Sequence, residues 1–234
     1  MKRDKVFITV VCALMIFIAG GLLFQFAWQE DWGNVRSSTT SLSQTINPGT
    51  LAVDIVNGSY VTVGSPAVTM TAQDFSFACS SSTGTLGTAT EQIYVKNPDA
   101  ADGGWTLAIA ASSPTAVWDS AGTDYDFNDP TTSGCADGGG DTDSLAGELT
   151  INATAGTLDV GACSSCTTTD IAKGTSDAFE EDVTNSITLL TAQGTSDDIG
   201  DWTLQGVSLS QTIPPEQPAA SDYSISLTLT VAAT

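Results

Sequence analysis

Carboxylates dominate the chemistry open to this chain. They are densest over residues 119–143, where Asp124, Asp126, Asn128, Asp129, Asp137, Asp141 and Asp143 stand among glycine, serine and threonine. Calcium takes about six to eight hard oxygen ligands from flexible loops, so this stretch supplies a candidate set for a structural Ca2+ ion. Asp124, Asp126 and Asn128 alternate as ligands on an extended loop, and Gly138, Gly139 and Gly140 lend the flexibility that would let Asp137, Asp141 and Asp143 join them. The order of residues is not that of an EF-hand. Aspartate also caps turns, which offers the same residues a purely structural use. A bound ion would neutralise like charges and order a long insertion.

Sulfur is the second resource. Cys12 lies inside an apolar run and reads as a small packing residue. Cys79, Cys135, Cys163 and Cys166 read as disulfide partners in an oxidising compartment, with Cys79–Cys135 and Cys163–Cys166 the expected pairing. Cys163-Ser-Ser-Cys166 has the spacing of a redox pair, but Gly161 and Thr167-Thr168-Thr169 flank it as a loop, not as the start of a helix. A four-thiolate zinc site is the other alternative, and it normally needs two close-spaced pairs. Catalysis has little to work with. The chain has no histidine, which removes Ser-His and Cys-His nucleophile pairs and His-ligated zinc. Paired carboxylates remain, but so many loop aspartates make accidental pairs common. The expectation is a protein that is not an enzyme.

The elements that would hold these groups are strands. The candidates are 50–56, 60–63, 67–72, 75–79, 92–95, 105–110, 147–151, 156–160, 186–190, 202–210 and 223–231, separated by Gly, Asp, Ser and Pro clusters. Alternation is plainest in Ile225-Ser226-Leu227-Thr228-Leu229-Thr230-Val231, which sends apolar and hydroxyl side chains to opposite faces. One short helix is expected near 176–183. The fold class is therefore all-β, an antiparallel β-sandwich of about 10–11 strands in two packed sheets, preceded by a single N-terminal transmembrane or signal helix.

That helix falls in residues 1–28, where the 23 positions 6–28 carry no charge. At about 1.5 Å per residue they cover a hydrocarbon core of about 30 Å. Lys2, Arg3 and Lys5 precede the run, and Trp28 and Trp32 follow at the opposite interface. An uncleaved anchor fits the length, and a signal cleaved near Ala19-Gly20-Gly21 is the alternative. Either implies export to the cell surface. Residues 29–41 form a polar stalk and 42–234 the extracellular domain. The net charge is −21, and past the apolar run 26 acids face three bases. Such a surface repels nucleic acid and anionic headgroups and attracts cations or basic polymers.

Two repeats bear on partners. Ser41-Leu42-Ser43-Gln44-Thr45-Ile46 recurs as Ser208-Leu209-Ser210-Gln211-Thr212-Ile213. Either the two are similar strands of one sandwich, or related strands exchange between subunits of a homo-oligomer. Trp105-Thr106-Leu107 and Trp202-Thr203-Leu204 each place a large ring and an aliphatic side chain on one strand face, either as core or as a platform for a sugar or peptide.

These two Trp-x-Leu motifs, in an exported β-domain, resemble the WxL domain of bacterial surface proteins over about residues 42–234. The resemblance implies non-covalent attachment to peptidoglycan, with Trp105, Leu107, Trp202 and Leu204 as binding residues and a cell-wall polymer or other surface proteins as partners. The acidic loop, the four cysteines and the N-terminal anchor lie outside it. Asn47-Pro48-Gly49-Thr50-Leu51-Ala52-Val53, soon after the apolar segment, is similar to the camelysin and TasA-like exported fibre proteins. That likeness accompanies the alternative function, a structural subunit of a fibre or layer built by strand exchange.

Overall fold

β-branched and hydroxyl residues alternate through most of the chain, and the computed structural model, which describes residues 41–47, 49–98, 103–197 and 199–234, turns them into twelve strands. These are β1 (Ala52–Val56), β2 (Ser80–Leu86), β3 (Gln92–Asn97), β4 (Trp105–Ala111), β5 (Leu149–Asn152), β6 (Thr157–Val160), β7 (Ile171–Lys173), β8 (Ser176–Ala178), β9 (Ile187–Ala192), β10 (Gly200–Gln205), β11 (Val207–Ile213) and β12 (Leu227–Ala233). The expected apolar span at 6–28 and the stalk up to residue 40 lie outside the described residues. Among those described, no helix is long and apolar enough to cross a membrane. Residues Asn47–Thr234 form one compact unit.

The strands make three antiparallel four-stranded sheets instead of the two expected, in the orders β1-β3-β10-β6, β2-β11-β5-β8 and β12-β4-β9-β7. The reason is a corner. The stretch 202–210, expected as one strand, is broken by Gly206 at φ 76° into β10 of the first sheet and β11 of the second. Beside it Gly87, at φ 81°, turns β2 of the second sheet towards β3 of the first, and its carbonyl accepts the Gly206 N–H at 2.7 Å. On the other flank a 3-10 turn at Ala153–Ala155, capped by the Asn152 side chain, carries β5 into β6. A Cβ on Gly156 would lie 2.9 Å from the Gln205 carbonyl oxygen, so the chains touch there. Three neighbouring strands thus bend together, and the first two sheets are one ribbon folded over the core.

The inward faces follow from the period of two. β4 alternates fully buried Trp105, Leu107 and Ile109 with less buried neighbours, and β10 and β11 add Trp202, Leu204, Val207 and Leu209. The expected helix near 176–183 is instead β8 followed by a turn, because Ser176–Ala178 pair with β5. Residues 60–63, 67–72 and 75–79 form no strand of their own. The first gives one bridge, Val56 to Thr62, and the second lies along β2, where the Thr71 N–H donates to the Thr83 carbonyl at 2.7 Å.

Candidate functional site

Trp105 on β4 and Trp202 on β10 belong to different sheets, and their rings meet 5.5 Å apart at 41°. They are 1% and 0% exposed, and Leu107 and Leu204 beside them are equally buried. Trp202 Nε1 donates to the Thr167 carbonyl at 2.8 Å. All four residues predicted to bind therefore pin two sheets together from inside and present no ring to solvent.

The acidic loop divides its residues by role. Asp124 accepts the Ser120 N–H at 3.1 Å, and Asn128 Nδ2 donates to the Pro114 carbonyl at 2.9 Å. Asp137 and Asp143 are exposed and cap turns, accepting from Gly139 N at 2.9 Å and Leu145 N at 2.8 Å. What converges is Asp126, Asp129 and Asp141: one carboxylate oxygen from each lies within 4.8 Å of the other two. Asp126 is 3% exposed and Asp129 0%. Asp129 accepts the N–H groups of Thr131 at 2.7 Å and Gly138 at 3.1 Å, and Asp126 accepts that of Phe127 at 2.7 Å. Asp141, twelve positions beyond Asp129, comes back over a Gly-rich stretch, and neither of its carboxylate oxygens has a hydrogen-bond partner.

Electrostatics agree with this burial. Desolvation pushes the Asp126 carboxyl up to about 7 from 3.8, partly offset by backbone N–H groups and reinforced by Asp143 and Asp141. Asp141 is raised by desolvation first and then by the Asp143 charge, partly offset by the Asp143 backbone N–H, with Asp137 and Asp129 adding to the rise. Glu148 is raised by burial and by Asp129 and Glu180. The charges acting on these three groups are carboxylates alone.

The loop is bolted down by a residue that sequence reasoning missed. Gln211 is fully buried on β11. Its Nε2 donates to the Asp126 carbonyl at 3.0 Å and the Thr212 carbonyl at 2.9 Å, and its Oε1 accepts Trp118 Nε1 at 2.7 Å. The signal was its place two residues from Leu209, which on a strand puts an amide on the apolar face. A second missed residue is buried Asp201, which accepts the Tyr94 hydroxyl and, at 2.8 Å, the Cys163 N–H. It thereby seats the loop closed by Cys163–Cys166. Cys79 and Cys135 form the other disulfide and tie the start of β2 to the acidic loop, so both expected pairs are present.

One flank of the sandwich is unfinished. β12 pairs with β4 on one side, and among the described residues no strand is laddered to its outer edge. Its inward residues Leu227, Leu229 and Val231 are only half-buried, whereas the inward residues of neighbouring β4 are fully buried. Next to it a groove of about 410 Å3 is lined by Ile55, Met70, Leu86, Leu209, Leu227 and Leu229 among others. Separately, residues 41–46 carry no secondary structure, and Leu42 and Ile46 are 90% and 85% exposed.

No protein-family model matches the sequence, and no curated protein or solved structure matches it. The Trp-x-Leu and Asn47–Val53 resemblances therefore rest on short motifs alone.

Proposed function

We propose that this chain is a non-enzymatic, exported surface subunit that assembles with copies of itself by strand addition, residues 41–46 of one copy lying along the open β12 edge of the next. The carrying observation is the half-covered apolar face of β12 beside an apolar groove. An unpaired strand edge offers a row of free N–H and C=O groups to another chain, and apolar side chains at alternate positions then fill the groove. The segment 41–46 has suitable chemistry because its six residues are those of β11 at 208–213, which already packs Leu209 into the same core. Leu42 and Ile46 would supply the apolar face. The disulfides suit an oxidising exterior. Attachment to a wall polymer, the other function expected from the sequence, would have to use surface other than the two tryptophans.

The test is the size distribution of the purified full-length chain in detergent, compared with a Leu42→Asp/Ile46→Asp double variant. Concentration-dependent oligomers that the double variant loses are expected. The N-terminal apolar run is identical in both, so association through that run would leave them alike. A monomeric parent, or a double variant that assembles like the parent, overturns the reading.

A further inference from the structure

The acidic loop carries a conclusion independent of assembly: we propose that Asp126, Asp129 and Asp141 bind a single calcium ion that fastens the tip of the loop to the sandwich. Clustered aspartates alone would not justify this, since Asp137 and Asp143 are exposed turn caps and need no ion. The pointer is Asp141. Both its carboxylate oxygens are buried, each with less than 1 Å2 accessible, and neither has a hydrogen-bond partner of normal geometry. A carboxylate removed from water without a partner is costly, and native structures supply a donor or a cation. The Asp143 backbone N–H offsets this only in part, and the neighbouring charges that act on Asp141 are other carboxylates. A cation is the partner that would let Asp141 stay charged there.

Geometry selects the ion. Three oxygens whose separations are all within 4.8 Å lie at most about 2.8 Å from a common point, close to calcium–oxygen distances of about 2.3–2.6 Å. Magnesium requires about 2.0–2.1 Å with near-octahedral rigidity and keeps its waters, which fits a buried all-carboxylate trio poorly. Zinc favours nitrogen and sulfur, and the trio offers only oxygen. Two ligands are preset: Asp129 is held by Thr131 and Gly138, and the Asp126 backbone by Gln211. Asp141 arrives over Gly138, Gly139 and Gly140, so calcium would close a loop whose base is already built.

The full-length chain, freed of metal with chelator and dialysed, should be titrated with calcium chloride by calorimetry, with terbium luminescence excited through Trp118 and Tyr125 as a second readout. One calcium per chain is expected, with a thermal midpoint that rises on addition. Asp141→Asn should weaken calcium binding at least ten-fold while its midpoint in chelator stays equal to or above that of the parent. Asp143→Asn should bind like the parent. Absence of both heat and luminescence with the parent overturns the site. Parent-like binding by Asp141→Asn does so too, as does an equal loss in Asp143→Asn, which would mean diffuse attraction to the acidic surface.

Discussion

A carboxyl group withdrawn from water holds its proton more tightly, and Asp126, 3% exposed and pushed up to about 7, is the chief example in this chain. The sign follows. The folded, metal-free state binds this proton more strongly than the unfolded chain, whose value lies near 3.8, so stability is greatest at low pH and falls as pH rises through the interval up to about 7. Asp141 and Glu148, also raised, act in the same direction. In chelator the thermal midpoint should therefore be lower at pH 8 than at pH 5, and Asp126→Asn should shrink the difference. A midpoint that rises with pH in chelator would contradict it. The acidic loop was legible as a place, but not which three of its carboxylates converge. Alternation suggested Asp124, Asp126 and Asn128, yet Asp124 is taken by Ser120 and Asn128 by Pro114. Those hydrogen bonds depend on how the loop crosses the sandwich, which spacing does not reveal, and the same holds for the return of Asp141.

Among the elements, β2-to-β3 and β10-to-β11 turn on glycines that differ in what they forbid. At Gly206 an added Cβ meets nothing closer than 3.9 Å, so alanine would bear only the cost of φ 76°. At Gly87 the Cβ would lie 2.6 Å from the Leu204 carbonyl oxygen in addition to φ 81°. Gly206→Ala should thus cost about 1 kcal/mol of stability and Gly87→Ala roughly 3 kcal/mol or more, measured by chemical denaturation. Equal costs would mean that the corner gives way at Gly87. Element by element, legibility tracked apolar content. The alternation of Leu227, Leu229 and Val231 marked β12, with its start at 227 instead of 223. β2 escaped, because Ser-Ser-Ser-Thr-Gly-Thr-Leu has one large apolar residue and is a strand through its ladder to β11, from Val207↔Leu86 to Ile213↔Ser80. Ser176–Ala178 escaped likewise, being too short to display a period.

At the scale of the whole molecule, the net charge of −21 opposes both compaction and the approach of a second copy, and salt at physiological strength limits that repulsion to about 8 Å. The proposed strand addition would belong at such salt, where short-range apolar contact decides. The two tryptophans, read from the sequence either as core or as a binding platform, serve cohesion, since Trp105 and Trp202 join the β12-β4-β9-β7 sheet to the β1-β3-β10-β6 sheet. The glycine corner adds a different kind of unity. Because β2 with β3, β11 with β10, and β5 with β6 are continuous around it, neither face can peel away without breaking ladders on the other. Opening becomes a single event: in native-state hydrogen exchange followed by mass spectrometry, amides of β3 and β10 should share one opening free energy with those of β11 and β5. Two well-separated exchange classes divided at residue 206 would mean that the fold hinges there, whereas one class makes the corner a rivet that turns the eight strands of two sheets into one cooperative body.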